Sequence, residues 1–161
     1  MTGVQTCALP ISRIGYIGSS QGGAFGYFLL GLNKHFTRGA MLVPAMADHF
    51  AARQKRQPTW PNLLASQPAG GRAAAERNAP YFDIVHFAPR IHVPVRSAVG
   101  LSDTTCPPAG GWCAFNALAS EDKKMKSVPG MPHAVDSKLY DAMRRWACGI
   151  AEEDFASALG R

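Results

Sequence analysis

The stretch GYIGSSQGGAFG constrains the fold more than any other part of the sequence. Residues 13–17, which overlap the start of this stretch and are mostly apolar, predict a short β-strand. Residues 21–33 follow almost at once, and because they are apolar nearly all round they predict a buried helix. The junction carries the pattern Gly18-x-Ser20-x-Gly22. Glycines on either side of a serine leave room for a sharp strand-to-helix turn, where larger side chains would clash.

The same alternation of strand and helix continues along the chain. Three further strands are predicted at 38–44, 93–103 and 124–129, with helices at 107–120 and from Asp136 onward. Such alternation implies a parallel sheet. We therefore predict an α/β fold with about four mainly parallel strands flanked by helices.

Residues 45–80 interrupt this alternation. They lose clear periodicity and contain a Gly-Gly pair and three prolines before Pro80. Prolines and glycines at this density break regular elements. We predict a cap-like excursion with short helices inside a single domain.

Composition excludes several classes of partner. The chain has 161 residues, of which 47% are hydrophobic and 17% charged, a globular balance. No apolar run reaches the length of a membrane span, so we predict no membrane partner. The net charge is +6, but the basic residues are scattered rather than clustered with aromatics. We therefore predict no nucleic-acid partner.

The cysteines indicate neither a metal site nor a disulfide framework. Cys7, Cys106, Cys113 and Cys148 form no CxxC pair, and no His or Cys pair has zinc-ligand spacing. We predict buried free thiols and no metal. Free thiols favour a reducing compartment, which gives a weak preference for the cytoplasm.

Three residues follow predicted strands and combine into a catalytic hypothesis. Ser20 follows the first strand, Asp103 the third, and His133 the fourth. In parallel sheets the carboxyl ends of strands lie at one edge, and the order Ser, Asp, His matches the α/β-hydrolase arrangement. A serine needs a neighbouring imidazole to take its proton, and a carboxylate to orient that imidazole.

Each of these residues alone has a simpler interpretation. The glycine-framed Ser20 fits a glycine-rich turn, Asp103 fits a turn-forming role and His133 fits a loop. Their conjunction favours a triad with Gln21 N–H, at the start of the helix, as an oxyanion donor. Cys106 is an alternative nucleophile, but packing is the favoured interpretation because no histidine adjoins it in sequence.

Four segments carry a resemblance to a known family. They are GSSQGG (18–23), PYFDIVHFAPRIHVPV (80–95), GLSDTTCPP…WCAFNAL (100–118) and PGMPH (129–133). Together they resemble the acetyl xylan esterases and cephalosporin-C deacetylases, within the α/β-hydrolases. The resemblance covers residues 13 to about 148.

The resemblance implies the C-terminal half of an α/β-hydrolase fold and a role for each site residue. It implies Ser20 as nucleophile, Asp103 as triad acid and His133 as general base, with Gln21 N–H in the oxyanion hole and Gly18 and Gly22 framing the nucleophile elbow. The implied reaction removes acetyl groups from small carbohydrate esters, without a metal or organic cofactor. The family also implies a possible homo-oligomer for a full-length protein.

The beginning of the chain is a separate matter. Residues 1–12, MTGVQTCALPIS, resemble an in-frame translation of a sequencing adapter. We predict that this segment is not native and that 13–161 form part of a longer hydrolase domain. The strand before Ser20 would then lack its family neighbour and leave an unprotected apolar edge.

Two other functional classes stay open from the sequence. One is a different α/β-hydrolase, similar to dienelactone hydrolases or to peptidases. The other is a non-catalytic fragment that retains the triad residues without the activity.

Overall fold

One mainly parallel sheet organises the chain. A computed structural model describes residues 5–8, 13–68 and 70–150, with the backbone alone described for 5–8. The described residues form five strands in sequential order: β1 (Gln5–Ala8), β2 (Ile14–Ser19), β3 (Phe36–Leu42), β4 (Val95–Gly100) and β5 (Lys123–Val128). Strands β2 to β5 are mutually parallel. This arrangement, with its flanking helices, confirms the predicted α/β fold.

Helices connect the parallel strands. The α-helices are α1 (Gln21–Leu32), α2 (Arg72–Asn78), α3 (Pro108–Asn116) and α4 (Ser137–Ala147). Short 3₁₀ helices span Ala51–Gln54, Ala79–Phe82, Ile84–His86 and Ala88–Arg90. Among the described helices, none combines the length and the apolarity that crossing a bilayer requires.

The sheet separates two apolar clusters. Because side chains alternate along a strand, neighbouring residues of β2 face opposite sides. Tyr16 packs in the cluster that contains residues of α1 and α3. Ile17 packs in the cluster that contains residues of α4, among them Trp146. Helices therefore cover both faces, as a parallel sheet requires.

Helix α1 lies close to the sheet along its glycine-rich side. A Cβ added at Gly26 would lie 2.7 Å from side-chain atoms of both Tyr16 and Met41, so only glycine permits this approach. The opposite side differs from the sequence prediction of a helix buried all round. Phe25, Leu29 and Leu32 recur on that side and are exposed. The prediction is wrong for this face, because the small residues decide which side reaches the sheet.

The edge of the sheet also differs from the prediction. Strand β1 pairs antiparallel with β2, from Gln5 opposite Ile17 to Ala8 opposite Ile14. The expectation of an unprotected β2 edge is therefore wrong, since β1 satisfies its backbone groups. The rest of the segment predicted to be foreign, residues 1–4 and 9–12, lies outside the described residues.

One cysteine also departs from its prediction. Cys106 and Cys113 are free, as expected, with Cys106 buried. Cys148 is disulfide-bonded, so the expectation of a free thiol is wrong there.

Asp83 connects the chain after β3 to the segment that leads into β4. Its buried carboxylate accepts hydrogen bonds from the amides of Asp48 (3.0 Å), His49 (2.8 Å) and Val85 (3.0 Å). Three backbone donors converging on one carboxylate hold these loops in fixed register, because a buried amide without an acceptor is destabilising.

We expect Asp83→Asn to lower the free energy of unfolding by about 1–3 kcal/mol, since the new amide turns a donor toward backbone donors. Urea unfolding followed by circular dichroism measures the change. Asp141→Asn is the matched control, because the Asp141 side chain is 53% exposed and pairs with Arg144 at the surface. A loss at position 83 no larger than the loss at 141 contradicts the assignment.

Candidate active site

Ser20 lies at the junction of β2 and α1 in a strained backbone conformation. Its φ is 56° and its ψ is −121°, a region that residues with side chains rarely occupy. Such a conformation is unfavourable by roughly 1–3 kcal/mol and persists only where the surroundings fix it. Three backbone bonds do so: Ser20 N–H donates to Leu42 O (2.9 Å), and Ser20 O accepts from Ala24 N (3.0 Å) and Ala45 N (3.1 Å).

The two glycines that frame Ser20 lie against each other across the turn. A Cβ added at Gly18 would lie 2.4 Å from the carbonyl oxygen of Gly22, so no side chain fits there. Gly22 is buried in the first turn of α1. The turn can therefore close tightly only with glycine at position 18.

The structure brings the three predicted residues into one hydrogen-bonded path. Ser20 Oγ lies 2.7 Å from His133 Nε2, and His133 Nδ1 lies 2.8 Å from Asp103 Oδ2. The Asp103 side chain is fully buried, whereas that of His133 is 24% exposed. A proton on Nδ1 directed at the carboxylate leaves Nε2 free to accept the serine proton.

Asp103 is held by backbone donors on its second oxygen. Oδ1 accepts from Thr105 N (2.9 Å) and Cys106 N (2.8 Å), which leaves Oδ2 for His133. An ionised carboxylate only accepts hydrogen bonds, and here each oxygen faces a donor. The loop after β4 therefore fixes both the position of the carboxylate and the direction of its free oxygen.

The loop that carries His133 packs directly on the end of β4. Ser102 N donates to Met131 O (3.1 Å), and Met131 N donates to Val128 O (3.3 Å). A Cβ added at Gly100 would lie 2.2 Å from Met131 O, so the two backbones touch. Sequence reasoning did not identify Gly100, although a glycine at a strand end is the signal of such a close approach.

Trp60 connects the loop after β3 to the loop that carries Asp103, the acid loop, through its main chain. Trp60 O accepts from Met46 N (2.8 Å), and Trp60 N donates to Thr105 O (3.0 Å). Gln57 Nε2 adds a bond to Thr104 O (2.7 Å). The segment 57–60 thus supports the loop of Asp103. Sequence reasoning missed it, because main-chain bonds between distant loops leave no local pattern.

Gln21 occupies the position expected of an oxyanion donor. It is the first residue of α1 and directly follows Ser20. Amides in the first turn of a helix have no intrahelical acceptor and carry the positive end of the helix dipole. The Gln21 N–H is therefore available to an anion forming beside Ser20.

Cys106 has the properties of a packing residue. Burial raises the pKa of its thiol to about 12, and the Asp103 charge adds to this, whereas a hydrogen bond from the Trp60 backbone opposes it. A thiolate, rather than a thiol, is the nucleophile in cysteine chemistry. At neutral pH the Cys106 thiol is therefore protonated and unreactive.

The remaining histidines lie apart from this path. His49 is buried, and its Nε2 is 3.1 Å from Phe82 O. His35, His86 and His92 are exposed.

Comparison with known proteins identifies a family and a relative that the sequence of this chain resembles. Residues 8–150 match the family model of acetyl xylan esterase (AXE1). Acetyl esterase Axe7A of Xylanibacter ruminicola is 27% identical over 135 residues, which represent 80% of this chain and 29% of that protein.

Solved structures share the fold. Acetyl xylan esterase 1 from Thermoanaerobacterium sp. JW/SL YS485 superposes with a TM-score of 0.72 at 21% identity, covering 89% of this chain and 47% of that one. The acetyl xylan esterase from Paenibacillus sp. R4 gives a TM-score of 0.69 at 24% identity, with coverage of 80% and 42%. The chain therefore spans less than half the length of these relatives.

We expect iodoacetamide at pH 8 to leave Cys106 unmodified in the folded protein and to alkylate it after unfolding in urea. The raised pKa and the burial of the thiol both suppress the reaction. Peptide mass spectrometry measures the modification. Alkylation of Cys106 in the native state, at the rate found in urea, would refute the packing role.

Proposed function

Since the chain belongs to the acetyl xylan esterase (AXE1) family, we propose that it carries the catalytic residues of a serine acetylesterase that deacetylates small carbohydrate esters. Family membership gives a hydrolase that acts on acetyl esters. The observation that carries the finer proposal is the path from Ser20 through His133 to Asp103. Acetylated xylo-oligosaccharides are the proposed substrates, with cephalosporin-C-like acetyl esters as a related class.

The first step is acyl transfer to Ser20. Oγ attacks the acetyl carbonyl carbon while His133 Nε2 accepts the hydroxyl proton. The 2.7 Å separation of these two atoms supports direct proton transfer. The carbonyl oxygen becomes negatively charged in the tetrahedral intermediate, and Gln21 N–H at the start of α1 donates to it.

The intermediate then collapses and releases the sugar. The imidazolium of His133 gives its proton to the alcohol oxygen of the sugar as the ester bond breaks. A water molecule, deprotonated by the same imidazole, then attacks the acetyl-serine, and the imidazolium returns the proton to Ser20 Oγ as acetate leaves. The partial exposure of His133 supports access of both the alcohol and water to this ring.

Asp103 stabilises the charged histidine during both steps. Its carboxylate faces Nδ1 at 2.8 Å, and its other oxygen is held by two backbone amides. Because the carboxylate is buried, water screens its attraction for the imidazolium only weakly. This environment supports a role in orientation and charge stabilisation.

We expect Ser20→Ala to reduce acetate release from acetylated xylo-oligosaccharides by a factor of about 10⁴ or more, because the nucleophile is lost. An enzymatic acetate assay measures the rate. Ser19→Ala is the matched control, since Ser19 adjoins Ser20 at the end of β2 but has no place in the path. Equal activity of the wild type and Ser20→Ala would disprove the proposal.

We expect Asp103→Asn to lower kcat by a factor on the order of 10⁴ while KM changes little, because an amide in its place favours the wrong imidazole tautomer. Steady-state kinetics with an aryl acetate separates the two constants. Asp122→Asn serves as control, since this half-exposed carboxylate pairs with Arg96 away from the path. A change in KM alone would contradict the assigned role.

The choice of acyl group distinguishes this proposal from other α/β-hydrolases. A panel of acetyl, butyryl and octanoyl esters, together with a peptide anilide, is expected to give the highest kcat/KM with acetyl. Preference for long acyl chains or for the peptide contradicts the acetylesterase assignment. A fluorophosphonate probe that fails to label Ser20 would instead indicate a non-catalytic chain.

A further inference from the structure

Tyr16 on β2 and Tyr27 on α1 are both fully buried, and they differ in what their hydroxyls contact. The Tyr16 hydroxyl donates a 2.5 Å hydrogen bond to the carbonyl of Gly22. The Tyr27 hydroxyl instead lies beside the hydroxyl of Ser97, which donates to the Met41 carbonyl, and it makes no hydrogen bond to the turn.

The Tyr16 bond spans the turn that contains Ser20. Tyr16 lies on β2, four residues before Ser20, and Gly22 lies in the first turn of α1. A Cβ at Gly18 would lie 2.8 Å from the Tyr16 oxygen as well as 2.4 Å from the Gly22 oxygen. The hydrogen bond between the Tyr16 hydroxyl and Gly22 O therefore occupies space that a side chain at position 18 would fill.

We propose that Tyr16 is a positioning residue that holds the strained Ser20 backbone and the first turn of α1 in their reactive orientation through this hydrogen bond. The inference rests on the proposed esterase function and extends it to a residue outside the triad. The Tyr16 hydroxyl is buried and does not touch the reacting atoms, so it acts through Gly22 and the backbone that follows Ser20.

The other restraints on Ser20 explain why this bond matters. Leu42 O and Ala45 N fix Ser20 from β3 and the loop after it. The Tyr16 bond instead ties the helix that follows Ser20 to the strand that precedes it. Without it, the first turn of α1 can rotate relative to β2, and the amide of Gln21 moves with that turn.

The hydroxyl is a constant donor at neutral pH. Burial raises the pKa of Tyr16 to about 12, with a smaller contribution from Tyr140. The phenol therefore keeps its proton throughout the range in which esterases are assayed.

The experiment compares Tyr16→Phe with Tyr27→Phe in the same chain. Both changes remove one buried hydroxyl and keep the ring, but only the first removes a bond to the turn. Hydrogen exchange by NMR follows the amides of Ser20 and Ala24, which are bonded to Leu42 O and Ser20 O, with amides of β3 and β4 as the reference for global opening. Kinetics with an aryl acetate gives kcat and KM.

We expect Tyr16→Phe to speed exchange at Ser20 and Ala24 roughly tenfold relative to the reference amides, the effect of one lost hydrogen bond. We expect kcat to fall about three- to tenfold with KM unchanged, because the displaced Gln21 amide bonds the substrate oxygen only when that oxygen becomes charged in the transition state. Tyr27→Phe is expected to change neither quantity.

Three results overturn the inference. Exchange at Ser20 and Ala24 that matches Tyr27→Phe shows that the bond does not hold the turn. Faster exchange with an unchanged kcat shows that the bond is structural only. If the wild type has no Ser20-dependent turnover, the proposed function fails and with it the catalytic role of Tyr16, while the exchange data still report whether the bond holds the turn.

Discussion

The positive φ of Ser20 is the constraint on which this structure depends. A serine does not adopt that conformation unless its neighbours impose it. Strand β3 supplies an acceptor from Leu42 and the loop after it supplies a donor from Ala45, while Gly18 leaves the space in which the turn closes. In this conformation the hydroxyl lies 2.7 Å from His133 Nε2, and α1 begins at the next residue.

The parallel sheet explains how residues 113 positions apart reach each other. Ser20 follows β2 and Asp103 follows β4, with β3 between these strands. His133 follows β5, and its loop returns over the end of β4 at Gly100 to reach both residues. This return of the loop, rather than the order of the strands, places the histidine in the middle of the path, with one ring nitrogen toward each partner.

Local patterns predicted the parallel strands and the residues at their ends. The alternation of strands and helices was sufficient for this prediction, since the carboxyl ends of parallel strands lie at one edge of the sheet for any conformation of the loops. The exposed face of α1 escaped prediction because apolar residues surround the helix, and only the glycines decide which side packs. Strand β1 was not expected because Gln5–Ala8 lie in the segment predicted to be non-native, yet edge pairing needs only the backbone groups that any sequence supplies. Asp83 and Trp60 were missed because their partners are main-chain groups far away in sequence.

Because the bonds of Trp60 to its neighbouring loops come from its main chain, the surface chemistry at position 60 is independent of the geometry of the loop of Asp103. The bonds to Met46 and Thr105 use the peptide groups of residue 60, while Trp60 as a residue is 45% exposed. Any side chain except proline leaves the donor to Thr105 in place. Position 60 can therefore take on a new surface chemistry while the acid loop keeps its geometry. The segment between β3 and β4 is thus a place where the surface can change in sequence while the backbone bonds to the loop of Asp103 stay the same.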